Sequence, residues 1–268
     1  MRDGTEFLCL DDATALARFV AFVKYRIQQL GGDVFLRGQV SHYPGLVPAL
    51  FRGASEQAAQ RRAAAYRQAL SRVQDDLPYG RFHRSNVGAL LQHYGAKTPW
   101  IDLVDNLYTA LWFATHEHRS DHDNRSYYVR APSEFGWVVL VGTRTIDGES
   151  LRCIDLRKHH SSMNVRLHAQ HGISAASQDD WEPPTRVDYE TYVVARVRVP
   201  NDRRFRVNGH LASPRFLFPS PQLDESFNIL LSSAANRILA EHERDFRLPD
   251  NTLGRIGRIR VSRPNRRR

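Results

Sequence analysis

The chain has 268 residues, of which 41% are hydrophobic and 25% charged, and a formal net charge of +9. That size and balance describe a globular chain able to bury a sizeable core, as one large domain or two small ones. No apolar run approaches the ~18 residues that a membrane span requires, and Cys9 and Cys153 are too few for a disulfide framework or a cysteine zinc site.

The opening MRDGTEFLCLDD has no basic segment followed by an apolar one, so a secretion signal is not expected and a reducing, cytoplasmic setting fits. The charge is unevenly placed. Residues 251–268, NTLGRIGRIRVSRPNRRR, hold seven arginines and no acid, which leaves residues 1–250 far closer to neutral. Such a tail either gives salt-sensitive affinity for polyanions such as nucleic acid or is a solvated end.

In chain order, residues 12–30 read as a helix, with Leu16, Val20, Val23, Ile27 and Leu30 at helical spacing, Asp11 or Asp12 as cap and Gly31-Gly32 as stop. DVFLRGQV follows as a short strand carrying Arg37, which faces either solvent on an edge or a cleft needing a cation; considered alone, the edge is favoured. Residues 41–53 are loop-like. Residues 55–75 read as a helix with Ala59, Ala63, Tyr66, Leu70 and Val73 on one face. Gly88 to Tyr94 form a short helix stopped by Gly95, and PWIDLV is a strand. Asp105 or Asn106 caps a helix from Leu107 to His116.

Residues 119–133 read as a polar loop, GWVVLVG at 136–142 as a buried strand, and LRCIDLRKHHSS as a loop. MNVRLHAQHGIS alternates like a strand, with Asn164, Arg166, His168 and Gln170 on one face. TYVVARVRVP at 191–200 is a further strand with Arg196 and Arg198 on one side, and residues 225–243 return to an amphipathic helix. Helices come early and most strands late, so the expected fold is a single α+β domain with a mixed or antiparallel sheet flanked by helices.

No phosphate-binding glycine loop, dinucleotide fingerprint, H-E-x-x-H or G-x-S-x-G motif is present. His159-His160 and His116-x-His118 lack acids or cysteines at ligand spacing, so no metal site is expected. What remains is Arg37, His93, Tyr94, Thr98, Asp102, Arg166 and Gln170. Singly, each has an ordinary structural role: a helix C-terminal cation, a core ion pair, a core aromatic. Together they suit anchoring a phosphorylated or ribosylated ligand through charge-assisted bonds.

FLRGQ at 35–39, LVPALFR at 46–52, LLQHYGAKTPWIDLVDNLYTALWFA at 90–114, NVRLHAQHG at 164–172 and FLFPSPQLD at 216–224 resemble, in order, the blocks of the FRG domain, a bacterial family named for its F/Y-R-G motif. The family layout is similar to that of the ADP-ribosyltransferase superfamily, which implies a split sheet and NAD as a substrate. On that resemblance Arg37, His93, Asp102 and Gln170 form the catalytic set, and Gly38, Gln39, Tyr94, Thr98, Trp100 and Arg166 bind NAD. Arg37 would clamp the pyrophosphate or the nicotinamide amide, and Tyr94 or Trp100 would stack on the nicotinamide.

The implied function is an NAD-dependent ADP-ribosyltransferase or NAD hydrolase-like effector, a toxin or phage-defence protein with an antitoxin or other partner. The alternatives are a non-catalytic or nuclease-like nucleic-acid module using the basic tail with Arg196 and Arg198, and a scaffold or sensor that binds a host or phage protein. Two departures stand out. Gln170 occupies the late position where active transferases carry Glu, and TPWIDLV at 98–104 lacks the Trp and Thr that many FRG members carry after the Asp.

Overall fold

Helix boundaries follow the capping chemistry of the sequence. The structure is a computed structural model and describes residues 8–10, 12–77, 86–120, 126–145, 147–162, 164–177, 187–202, 213–232, 234 and 236–238. Strand β1 is Leu8–Cys9 and helix α1 is Ala13–Gln29. Asp12 accepts from the backbone N–H of Thr14 at 2.7 Å and of Ala15 at 2.8 Å, and Gly31 at φ +76° ends the helix. Strand β2 is Val34–Gln39 and helix α2 is Glu56–Asp76, capped by Ser55. The expected α2 face of Ala59, Ala63, Tyr66, Leu70 and Val73 is buried.

Helix α3, Val87–His93, ends before Gly95 at φ +100°. Strand β3 is Ile101–Val104, and Asn106 then caps helix α4, Leu107–Thr115, by accepting from Thr109 N at 3.0 Å. The remaining elements are β4 His116–Ser120, β5 Ser126–Arg130, β6 Phe135–Gly142, β7 Arg152–Asp155, α5 Leu156–His159, α6 Val165–Ala169, β8 Gly172–Ala176, β9 Val193–Pro200, α7 Pro214–Leu217 and α8 Glu225–Ser232.

Seven strands form one sheet in the order β1-β9-β6-β2-β3-β8-β7, and β4 pairs with β5 in a separate ribbon. Every neighbouring pair is antiparallel except β1 with β9, so the sheet is mixed. Its two halves barely touch. Strand β2 pairs with β6 over six residues, from Val34↔Gly142 to Gln39↔Trp137, but meets β3 only at Leu36↔Val104. Beyond that pair β2 and β3 diverge, and the sheet is split between a four-stranded and a three-stranded half.

Helices α1 and α4 cover Leu36, Val138, Leu140, Val197 and Val199 on one face. Phe35, Ile101, Leu103, Val139, Val141 and Ile173 pack on the other face, beneath Leu46, Tyr189 and Tyr192. Helices α2, α3 and α8 share a third core with Tyr94 and Trp100. Two glycines let α4 lie against the sheet: a Cβ at Gly38 would sit 2.0 Å from the Ala110 carbonyl oxygen, and one at Gly136 2.0 Å from that of Ala114.

Four sequence expectations are corrected. Arg37 is not on an edge, because β2 is the fourth strand of seven. Residues 119–133 hold the ends of the β4–β5 ribbon, whose polar strands lack the apolar run of a main-sheet strand. LRCID contains β7, an edge strand on which only Ile154 is well buried. Residues 164–172 are not one strand: Val165–Ala169 is a helical turn, and His171, at φ +53°, reverses the chain into β8. The Arg-rich residues 251–268 lie outside the described residues.

Gly38→Ala is expected to lose about 3 kcal/mol or more, because the added methyl meets rigid helix backbone and not a movable side chain. Gly53 has nothing within 4 Å of a built Cβ and φ +65°, so Gly53→Ala should lose only the left-handed backbone penalty of about 1–2 kcal/mol. Urea denaturation of both variants checks the contrast.

Candidate functional site

The site lies where the sheet splits. Once β2 and β3 diverge, the Asp102 carbonyl has no partner in the facing strand, and a buried carbonyl needs one. Arg37 supplies it: its Nη1 donates to Asp102 O at 2.6 Å. A pocket of about 180 Å³ fills the gap, lined by Leu36, Arg37 and Gly38 from β2 and by Asp102, Leu103 and Val104 from β3. His93, Phe113, Tyr128, Arg166, Gln170 and Phe218 complete it.

The Asp102 carboxylate is held by α3. Gln92 Nε2 donates to Asp102 Oδ2 at 3.0 Å, and Gln92 is itself oriented by Thr98, whose hydroxyl donates to Gln92 Oε1 at 2.7 Å. Thr98 Oγ1 accepts in turn from Trp100 N at 3.1 Å. His93 Nδ1 stands 3.8 Å from Asp102 Oδ1. Burial raises the Asp102 pKa, but the neighbouring His93 ring, the Gln92 amide and the Arg37 guanidinium outweigh it, and the carboxyl lies below its ordinary value. Burial lowers Arg37, reinforced by the charge of Arg52 and opposed by Asp102, and an arginine remains protonated regardless. Burial pushes the Tyr128 hydroxyl up to about 12.

Helix α6 supplies the remaining polar wall. Arg166 and Gln170 are one helical turn apart, so both face the pocket, while the intervening His168 is exposed. Gln170 Nε2 donates to Leu217 O at 2.6 Å. The Arg166 guanidinium carbon lies 4.7 Å from the Phe218 ring centroid and 5.4 Å from that of Tyr94. Behind it, the fully buried Asp224 accepts from the Tyr94 hydroxyl at 2.8 Å, from Arg166 N at 2.9 Å and from Phe227 N at 3.0 Å. One carboxylate thus joins the ends of α3, α6 and α8.

Of the residues singled out by sequence, Arg37, Gly38, His93, Asp102, Arg166 and Gln170 meet in this pocket. Gln39 lines a wider adjoining groove of about 790 Å³, which shares Arg37, Gly38 and Phe113 with the pocket and includes Tyr43, Arg52 and His116. Tyr94, Thr98 and Trp100 are not pocket residues. All three are fully buried, and Tyr94 stacks on Phe227 at 5.1 Å, so neither large ring offers a free face. The aromatic side chains that do line the pocket are Phe113, Tyr128 and Phe218, which sequence reasoning left unmarked. Gln92 and Asp224 were missed as well, although both fall inside the quoted motif blocks. On β9, Arg196 is buried in a two-bonded ion pair with Glu190, and Arg198 lies 4.5 Å over Phe135. Among the described residues no three His, Cys, Asp or Glu side chains gather to hold a metal ion, and no helix is long and apolar enough to cross a membrane.

Fold and site define a mixed α/β protein with a small, cation-rich pocket in the gap of a split sheet. Residues 32–123 match the family model of the FRG domain. No curated protein and no solved structure matches the chain. The match holds the FLRGQ, LVPALFR and LLQHYG–ALWFA blocks; Arg166, Gln170 and Phe218, which close the pocket, lie beyond it.

A Cβ at Gly172 would lie 2.7 Å from His93 Cε1. Gly172→Ala should therefore leave the fold in place, cost about 1–3 kcal/mol and shift the His93 Cε1 proton resonance as the ring moves. Asp102 contributes through its ionised form, fully above the unfolded carboxyl value of about 3.9, and that contribution is lost as pH falls through its depressed folded value. The stability difference between wild type and Asp102→Asn should stay flat from about pH 7 to about pH 4 and then move against the wild type. Denaturation at stepped pH reads this directly; a change centred well above pH 4 contradicts it.

Proposed function

We propose that the chain binds NAD as a substrate and breaks its nicotinamide–ribose bond, passing ADP-ribose to water or to an acceptor. The observation that carries this reading is the convergence of Arg37, His93, Asp102, Arg166 and Gln170 on one pocket, with Asp102 kept ionised. The pocket alone is smaller than the roughly 300–1,000 Å³ usual for ligand sites, whereas the adjoining groove falls within it. A ligand of dinucleotide length spans both, across Arg37 and Gly38.

The chemistry follows from the residues. When the C1′–N bond breaks, its electron pair leaves with the nicotinamide nitrogen and positive charge develops on the ribose. A fixed carboxylate beside that charge stabilises the transition state more than the ground state, and Asp102 takes that part. The acceptor oxygen then bonds C1′ and gives its proton to His93, whose Nε2 is buried without a partner. Phe113, Tyr128 and Phe218 offer aromatic surface to the leaving ring. Arg37 and Arg166 face the anionic portion of the substrate. Such an NAD-consuming activity suits a toxin or phage-defence effector whose groove an antitoxin covers.

Wild-type protein should release nicotinamide from NAD. Asp102→Ala should lower kcat by about 10²–10³-fold, as loss of one fixed electrostatic stabiliser does, and Arg37→Ala should raise KM. Absence of both turnover and NAD binding at about millimolar concentration, the upper end of ordinary KM values, overturns the proposal.

A further inference from the structure

The pocket has more unpaired hydrogen-bond donors than its protein acceptors can satisfy. Arg166 is 7% exposed, yet its Nε and Nη1 have no hydrogen-bond partner among the described residues. Arg37 spends Nη1 on the Asp102 carbonyl and keeps Nε unpartnered. Both guanidinium groups line the pocket, carry donors alone and keep their protons, so an acceptor entering there meets side chains whose N–H groups the protein has not engaged. The buried carboxylate behind Arg166 does not serve. Asp224 is engaged by the Tyr94 hydroxyl and by the backbone N–H groups of Arg166 and Phe227, and it forms no ion pair with the Arg166 guanidinium. Aromatic rings lie around the Arg166 head instead, with the Phe218, Tyr94 and Phe227 centroids 4.7, 5.4 and 6.0 Å from its guanidinium carbon.

An acceptor-rich, negatively charged group fits this imbalance, and a neutral ring or a second cation does not. Asp102 is the pocket's own carboxylate, and its Oδ1 stands 3.8 Å from His93 Nδ1 without a hydrogen bond. Among the residues that line the pocket two positive side chains face one carboxylate, while Asp224 lies behind Arg166 with its oxygens engaged elsewhere.

We propose that Arg166, with Arg37, forms an oxyanion seat in this pocket that accepts a phosphate group. That the phosphate belongs to a nucleotide rests on the NAD reading above; the seat itself does not. If it does, one pocket holds a ribose phosphate on Arg166 and the reacting ribose carbon near Asp102, and the substrate must be a phosphorylated nucleoside.

Inorganic phosphate is the probe. Titrated into the full-length protein by calorimetry, with chloride holding ionic strength constant, it should bind saturably at one site. Arg166→Gln should weaken that binding by about tenfold or more, the usual loss for a hydrogen bond between charged groups. Arg166→Lys, which keeps the charge and the stem, should fall between. Arg18→Gln, on the exposed side of α1, should leave it unchanged. Should Arg166→Gln not fold, the lysine variant and the phosphate-induced shift of the His93 Cε1 proton in wild type still decide the matter. No saturable binding at phosphate concentrations on the order of tens of millimolar, or equal binding by wild type and both Arg166 variants, overturns the seat.

NAD turnover is read separately. Phosphate binding that depends on Arg166 without NAD cleavage keeps the seat and removes the proposed reaction. NAD cleavage with phosphate binding indifferent to Arg166 does the reverse. A nucleoside monophosphate should displace the bound phosphate and the unphosphorylated nucleoside should not; displacement by both overturns the seat.

Discussion

Everything at the site depends on the sheet being joined across its middle by a single residue pair, Leu36↔Val104. A continuous antiparallel ladder would satisfy the β2 and β3 backbones and leave no space between them. Opening it creates a cavity at the heart of the fold and, with it, carbonyl groups that a core cannot leave unpaired. Arg37 resolves both needs. One nitrogen replaces the missing ladder bond by donating to Asp102 O, and the rest of its guanidinium faces the opening. The arginine is therefore structural and receptive at once, which is why its removal should affect binding and the join between the halves together.

The residues around Arg37 follow from the same constraint. Phe35 anchors β2 to the core under Tyr189 and Tyr192, and Gly38 lets α4 approach until backbone meets backbone. That approach brings Phe113 to the pocket wall. The FLRG run and the ALWFA helix thus form one packing unit. Gly172 plays a comparable part on the other half of the sheet, where the space left by its missing side chain admits the His93 ring. In the Gln92-His93-Tyr94 run, successive side chains serve three targets: Gln92 orients Asp102, His93 enters the pocket, and Tyr94 ties α3 to Asp224.

This explains which parts were legible in sequence. Capped helices with apolar stripes were readable because their signals are local: Asp12, Ser55 and Asn106 sit within four residues of the N–H groups they satisfy. Arg37, His93, Asp102 and Gln170 were readable as a set because charge and amide groups amid apolar runs need a shared reason to be there. Choosing an aromatic was different. Tyr94 and Trp100 lie beside the polar residues in sequence but behind them in space, whereas Phe113, Tyr128 and Phe218 reach the pocket from a helix, a polar ribbon and a late loop. Residues 164–172 were misread in period yet correctly paired, since Arg166 and Gln170 share a face at a spacing of four whether the segment is a strand or a helix. Asp224 carried only the local signal of a helix cap, through Phe227 N, because its other partners, Tyr94 and Arg166, come from distant elements.

The same geometry bears on the position where a glutamate was expected. Gln170 uses its Nε2 as a donor to the Leu217 carbonyl at 2.6 Å, in a buried setting. A glutamate there would set a carboxylate oxygen against a carbonyl oxygen, two acceptors without a proton between them, so the amide is what this fold requires. Gln170 holds the late loop, and Phe218 with it, against α6. For any chemistry that develops positive charge in the pocket, the negative charge then comes from Asp102, delivered by β3 and oriented by Gln92. The carboxylate that lines this pocket sits on β3, and the split of the sheet gives it room.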